Sequence, residues 1–169
     1  GSPDNSENIL EEISSVSKKD YVNLMQEIYQ KEPIKDELVR KRIQEIKKTG
    51  APVVVSSTPV NAERLVKIAD EEKIDAFLIQ STVVSTKHKS PDGIKPLDLE
   101  AFCKSVSIPV WVGNSATYEV TEVLLKTGVE AIFVGIGPGA ACTTRGVLGV
   151  GVPMATSIAD AAEARDDYF

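Results

Sequence analysis

The sequence predicts an α/β fold: four consecutive βα units built around a parallel sheet, preceded by an N-terminal helical segment. Three observations carry this expectation. Residues 1–50 place apolar side chains at helical spacing and contain no strand-like run. Beyond Gly50, short β-branched or aromatic runs alternate with helix-period stretches. Finally, KKTGAPVVV, EEKIDAFLI, KSVSIPVWV and LKTGVEAIFV share one layout, a helix end passing through a short turn into an apolar strand. Near-continuous apolar strands between amphipathic helices belong to parallel sheets covered on both faces. Such repeats build both barrels and doubly wound sheets, and four units are too few for an eight-stranded barrel.

Taken in order, the helical segment 1–50 divides into Asp4 to Ser17, Asp20 to Glu32 and Asp36 to Thr49. The last carries Leu38, Val39, Ile43 and Ile46 at helical spacing, with Asp36 as N-cap and Gly50 as the stop after Lys47 and Lys48. Region 51–169 follows. Its strands are expected at Pro52 to Ser56, Ala76 to Gln80, Pro109 to Gly113 and Ala131 to Gly135. Its helices are expected at Ala62 to Glu72, Leu97 to Val106, Tyr118 to Thr127 and about Thr156 to Asp167.

A chain of 169 residues can bury one sizeable core, so it forms one domain or part of one. With 42% hydrophobic and 26% charged residues, the composition is globular rather than disordered. A net charge of -6 opposes a nucleic-acid backbone, which is bound through Lys and Arg. The longest apolar runs, Ala51 to Val55 and Phe77 to Ile79, fall far short of the roughly 20 residues of a membrane helix. No signal peptide precedes them, and a cytoplasmic location is expected. Cys103 and Cys142 lack CxxC spacing, so both are expected to be reduced thiols.

The stretch 135–153, GIGPGAACTTRGVLGVGVP, carries the most chemistry. Gly135, Gly137 and Ala140 fit a loose GxGxx[GA] dinucleotide pattern, with Asp160 further on. That reading needs a helix to start at the third position. The succession Gly146, Gly149, Gly151 and Pro153 is expected not to sustain one. A plain flexible connection with Cys142 as a small apolar filler is the alternative. Position favours chemistry, because Cys142 follows a strand end in a long βα loop. In parallel βα architectures reactive groups gather at the C-terminal strand ends, where Gly lets the backbone approach a ligand closely. A nucleophile loop is therefore expected, with Thr143, Thr144 and Arg145 as polar neighbours.

GIGPGAACTTRGVLGVGVPMATSIADAA closely resembles the catalytic loop and following helix of the IMP dehydrogenase and GMP reductase family, especially its IMP dehydrogenase-related branch. IPVWVGNSATYEV is similar to that family's fifth strand and its Gly-Asn turn, IDAFLIQSTVVS to the fourth strand and APVVVSSTP to the third. Helical residues 3–50 resemble the segment between the second and third strands. The resemblance implies four consecutive units, half of a TIM (β/α)8 barrel. In such enzymes a cysteine thiolate attacks C2 of a purine nucleotide, IMP or GMP, and a hydride passes between that carbon and NAD or NADP. Cys142 then holds the nucleophile's place, and Thr144 that of a threonine serving proton transfer or water placement. Gly139, Ala140, Ala141 and Asn114 match nucleotide-binding positions, and Gln80, Ser81 and Asn114 match cofactor-binding ones. Backbone carbonyls of Gly137, Gly139 and Cys142 match ligands of a monovalent cation, K+. Asn114 can also be read as a plain turn residue.

Thr143 and Arg145 have no family role here and are expected to be solvated loop residues. Two departures stand out. Ala140 replaces a serine that hydrogen-bonds the nucleotide phosphate, so backbone N–H groups must do more of that work. Gln80 replaces an aspartate that binds the cofactor ribose, and an amide is a weaker acceptor than a carboxylate.

The family's first two and last two strands, the seventh strand's ribose-binding aspartate and the mobile flap have no counterpart here. The chain begins Gly-Ser-Pro and ends on RDDYF, so a fragment of a longer enzyme is expected, whether engineered, proteolytic or natural. Exposed parallel edges would favour a homo-oligomer or pairing with the remaining half of the barrel, and no turnover is expected from the isolated chain. The dehydrogenase direction with NAD is preferred over GMP reduction with NADPH. A noncatalytic half-barrel module for binding or assembly is the reading from another class, favoured by Ala140 and Gln80. An aldolase or epimerase barrel is disfavoured, because strand ends there bear Lys, Asp or His rather than Ser56, Gln80, Asn114 and Gly135. His88, in STKHKSPDG, reads as a solvated loop histidine, and Trp111 and Tyr118 as packing residues.

Overall fold

A computed structural model describes residues 3–17, 19–31, 34–81 and 96–169. His88 lies outside the described residues. The chain divides into two compact units, residues 1–42 and 43–169.

The first unit holds helices α1 (Pro3–Ser15) and α2 (Tyr21–Lys31) and the start of α3 (Asp36–Lys47). Hydroxyls end α1, with Ser14 and Ser15 donating back to the carbonyls of Glu11 and Glu12, both at 2.8 Å. Helix α3 begins on Asp36 and Glu37 and ends near Lys47, the charge order that complements a helix dipole. Helix α2 buries none of its residues within this structure.

The second unit holds a four-stranded parallel sheet, β1 (Val54–Ser57), β2 (Ala76–Gln80), β3 (Val110–Ser115) and β4 (Ala131–Val134). The strands lie side by side in chain order. A doubly wound sheet reverses its strand order part-way, so the winding here is that of four successive units of a (β/α)8 barrel. Helices α4 (Pro59–Glu71), α5 (Leu99–Ser105), α6 (Tyr118–Leu125), α7 (Thr144–Leu148) and α8 (Met154–Tyr168) connect and follow the strands.

Registry follows from burial. Residues Ala76 to Ile79 of β2 are all buried, as a central parallel strand with both faces covered requires. Phe77 pairs with Val110 and Ile79 with Val112, and both of these β3 partners are buried too. Helix α4 buries Ala62, Leu65, Val66, Ile68 and Ala69, and α5 buries Leu99 and Phe102. The rings of Phe77 and Phe102 lie 6.0 Å apart, within the range of a favourable aromatic pair. Where β1 starts, Val53 N–H donates to Asp75 Oδ2 at 2.6 Å while Asp75 N–H donates to the Val53 carbonyl at 3.0 Å. This reciprocal clasp sets β1 against β2. The Lys47 ammonium donates to the Glu72 carbonyl, tying the end of α3 to the turn after α4.

Several boundaries differ from the sequence expectation. Helix α4 starts at Pro59 rather than Ala62, because proline lacks only an N–H that the first helical turn leaves unbonded anyway. Strand β3 runs on through Asn114 to Ser115, with its register against β4 shifting between Gly113 and Ser115. Within 135–153, where no helix was expected, α7 spans Thr144–Leu148. One turn containing Gly146 costs only about 1 kcal/mol relative to Ala, and Gly149 ends it in the left-handed conformation that glycine tolerates (φ 67°). The helix still begins too late for a dinucleotide fingerprint, which would start it at Ala140. Trp111 is half-buried and stacks near Phe133, with ring centroids 6.1 Å apart. The Tyr118 hydroxyl donates to Asp167 at 2.9 Å, joining α6 to α8.

Phe77 is fully buried at the centre of this core. Truncating it to alanine leaves a cavity and is expected to lower stability by about 3–5 kcal/mol. Urea unfolding should show the midpoint of Phe77→Ala falling with its slope unchanged; an unmoved midpoint would mean that the sheet–helix core is not the stabilising unit.

Candidate active site

The C-terminal ends of the strands gather two groups of residues. The first comes from β2 and β3. Gln80 pairs in register with Gly113, Ser81 N–H donates to the Gly113 carbonyl at 2.9 Å, and Asn114 N–H donates to the Ser81 carbonyl at 3.2 Å. These bonds bring the two side-chain amides together, and Gln80 Nε2 donates to Asn114 Oδ1 at 3.4 Å. Gln80, Ser81 and Asn114, read from the sequence as cofactor-binding, therefore form one cluster. Behind them Ser115, fully buried, shares a 2.8 Å bond with Thr121 Oγ1, and Thr121 donates to the Thr117 carbonyl at 2.8 Å. Thr117 in turn caps α6 by accepting from Val120 N–H. This chain of hydroxyls anchors the backbone just beyond Asn114.

The second group lies in the loop after β4. Gly135 N–H donates to the Ser115 carbonyl at 2.7 Å, fastening the start of the loop to β3, and Val152 N–H donates to the Ile136 carbonyl at 3.0 Å, closing its base. Between these ties, Cys142 N–H donates to the Gly139 carbonyl at 3.1 Å, making a turn with Ala140 and Ala141 exposed at its tip. Cys142 follows directly and precedes α7.

The Cys142 sulfur lies 3.3 Å from Thr144 Oγ1. The thiol donates to that oxygen, and the hydroxyl can rotate to donate to a thiolate. Hydrogen bonds from the Thr144 hydroxyl and backbone hold the Cys142 thiol below its ordinary value, with the charge of Arg145 adding to the effect and partial burial opposing it. Cys103 on α5 is the opposite case, its thiol pushed up to about 11 by burial.

Arg145 is exposed, as expected, but its guanidinium also reaches back into the loop. Its Nη1 donates to the Gly137 carbonyl and, at 3.1 Å, to the Gly139 carbonyl. Its stem runs where two glycines leave room for it. A Cβ on Gly151 would sit 2.5 Å from Arg145 Cγ, and one on Gly137 would sit 3.1 Å from the same atom, at a positive φ of 65°. Sequence reasoning missed this role. The available signal was a single cation among residues whose bare carbonyls need donors.

Gly137, Gly139, Cys142, Thr144 and Arg145 thus form one connected loop, and Gln80, Ser81 and Asn114 a second cluster at the neighbouring strand ends. Among the described residues, no group of three or more His, Cys, Asp and Glu side chains could hold a metal ion. No described helix is long and apolar enough to cross a membrane.

A family model described as IMP dehydrogenase / GMP reductase domain matches residues 6–168. The chain is 36% identical over 149 residues to an uncharacterized oxidoreductase of Mycobacterium tuberculosis, covering 88% of this chain and 39% of that protein. It is 43% identical over 101 residues to the inosine-5'-monophosphate dehydrogenase of Pasteurella multocida, covering 58% of this chain and 21% of that enzyme. Among solved structures, an IMP dehydrogenase/GMP reductase-like protein from Corynebacterium glutamicum superposes with a TM-score of 0.73 at 29% identity, covering 95% of this chain and 40% of the other. The chain therefore spans about two fifths of the length of the mycobacterial oxidoreductase and of the solved structure, and about one fifth of the Pasteurella enzyme.

The two cysteines should differ in reactivity. A depressed thiol keeps its thiolate as the pH falls, whereas one raised to about 11 is almost wholly protonated at neutral pH. Alkylation by iodoacetamide near neutral pH should modify Cys142 well before Cys103, and Thr144→Val should move the Cys142 rate profile to higher pH. Equal rates at the two cysteines, followed by peptide mapping, would contradict the hydrogen-bonded thiolate.

Proposed function

Since this chain belongs to the IMP dehydrogenase / GMP reductase family, we propose that it is part of a purine-nucleotide oxidoreductase of the IMP dehydrogenase type, with Cys142 as nucleophile. The observation that carries this reading is the pairing of Cys142 with Thr144 in a glycine-rich loop at a strand end. A thiolate is the reactive form of cysteine, and the Thr144 hydroxyl stabilises it where it must attack.

In this reading the Cys142 thiolate adds to C2 of IMP, and the hydrogen at C2 leaves with its electron pair. NAD, when bound, supplies the acceptor for that hydride. Water then adds at C2 and the carbon–sulfur bond breaks, releasing the oxidised nucleotide and returning the thiolate. Thr144, within hydrogen-bonding reach of the sulfur, orients that water and relays its proton. In the Gly139–Cys142 turn, the amides of Ala140 and Ala141 are outside the closing bond and serve as donors to the nucleotide phosphate, in place of a side-chain hydroxyl.

The strand-end cluster suits a nicotinamide cofactor. Gln80, Ser81 and Asn114 combine amide donors and acceptors with a hydroxyl, the groups that ribose hydroxyls and a carboxamide require. Being neutral, Gln80 would hold a ribose less firmly than a carboxylate. In this reading the four barrel units supply the nucleophile loop and the strand-end cluster of Gln80, Ser81 and Asn114. The edge strands β1 and β4, where Val54 and Phe133 are exposed, would pair with further barrel strands or with a second copy.

The test is a purine ribonucleotide bearing chloride on its six-membered ring. Incubation should add one nucleotide with loss of chloride to Cys142, as intact mass shows; excess GMP should block it and Cys142→Ala should abolish it. Labelling that GMP leaves unaffected, or that falls equally on Cys103, would sink the nucleotide-site reading in favour of a noncatalytic module.

A further inference from the structure

The loop expected to hold K+ offers backbone carbonyls at Gly137, Gly139 and Cys142. Potassium sites of this kind work by letting several carbonyl oxygens replace the ion's hydration shell. Here the Gly137 and Gly139 oxygens are already engaged. One nitrogen, Nη1 of Arg145, directs its two N–H groups to the two carbonyls. The Gly139 oxygen accepts from Cys142 N–H as well, so both of its lone pairs are committed. An ion placed on the same oxygens would also face the guanidinium charge directly. The loop residues, as arranged, do not fit K+.

We propose that Arg145 is the built-in cation of this loop: a positioning residue whose guanidinium stands in for a monovalent ion at the Gly137 and Gly139 carbonyls and so holds Cys142 and Thr144 in place. The backbone is shaped for this. Gly151 and Gly137 leave room for the Arg145 stem on its way to the carbonyls, since a Cβ at either would crowd its Cγ. The Val152–Ile136 bond closes the loop around that stem. Arg145 also sits in the first turn of α7, only three residues after Cys142, so the residue that grips the carbonyls lies close in the chain to the sulfur it steadies. A fork of N–H donors on carbonyls is a fixed geometry that a spherical, exchangeable ion does not impose.

The inference rests on Cys142 being the reactive group, and the experiment separates the two claims. The readout is the rate of Cys142 alkylation by iodoacetamide against pH, with K+ replaced by a bulky organic cation at constant ionic strength. Wild-type protein should give the same profile with and without K+. Arg145→Ala should slow Cys142 alkylation by about three- to tenfold at neutral pH, because the unbraced loop no longer holds the sulfur beside the Thr144 hydroxyl that stabilises its thiolate. Added K+ or free guanidinium should restore that rate, a rescue that a merely structural arginine would not show. Gly151→Ala, which keeps the arginine but crowds its stem, should shift the profile the same way and guards against a misfolded Arg145→Ala. A wild-type rate that climbs and saturates with K+ would overturn the proposal, as would an Arg145→Ala profile identical to wild type. If instead wild-type Cys142 reacts no faster than Cys103, the nucleophile reading fails, whatever K+ does.

Discussion

Two hydrogen bonds from one guanidinium nitrogen, Arg145 Nη1 to the Gly137 and Gly139 carbonyls, brace the loop that carries Cys142. Glycine loses more conformational freedom on ordering than any other residue, so a loop so rich in it does not settle into one shape without strong internal bonds. Charge-assisted bonds to carbonyls are among the strongest a side chain can make. The Gly139 carbonyl they reach also closes the turn to Cys142, and Cys142 lies 3.3 Å from Thr144 at the start of α7. A thiol on a wandering loop would keep its ordinary acidity; one held beside a hydroxyl and an arginine becomes a better nucleophile.

That loop works only because the sheet delivers it to the right place. Parallel strands in chain order bring all their C-terminal ends to one side, and the buried run of β2 with its partners on β3 sets their register. The Ser115–Thr121–Thr117 chain then fixes the backbone after Asn114, and the bond from Gly135 N–H to Ser115 ties the glycine-rich loop to the same strand. The amide cluster of Gln80 and Asn114 and the thiol loop therefore share a common frame, β3, even though they come from separate units.

Much of this was legible in the sequence. The four apolar runs, the order of helices between them and the marked position of Cys142 follow from periodicity and from where glycines collect. The resemblance to a family, now shown across nearly the whole chain, named the neighbours of that cysteine. What stayed hidden depends on long-range geometry. Asn114 reads equally well as a turn residue, and its bond to the Ser81 carbonyl beyond β2, at the point where β3 shifts register against β4, is a long-range feature. The turn of α7 was masked by Gly146 and Gly149, whose helix penalty is small over five residues. Arg145 looked like solvent-facing decoration because a sequence does not show which carbonyls lack donors, and its slot is formed by Gly137 and Gly151 from opposite sides of the loop.

The account stands or falls on what occupies the carbonyls beneath Cys142. Diffraction from crystals in which K+ is exchanged for thallium(I), an anomalous scatterer of similar size, decides it directly. The expected result is no anomalous peak at Gly137 and Gly139, with the Arg145 guanidinium seated on both oxygens. A thallium peak ringed by those carbonyls, with Arg145 swung out to solvent, would contradict it.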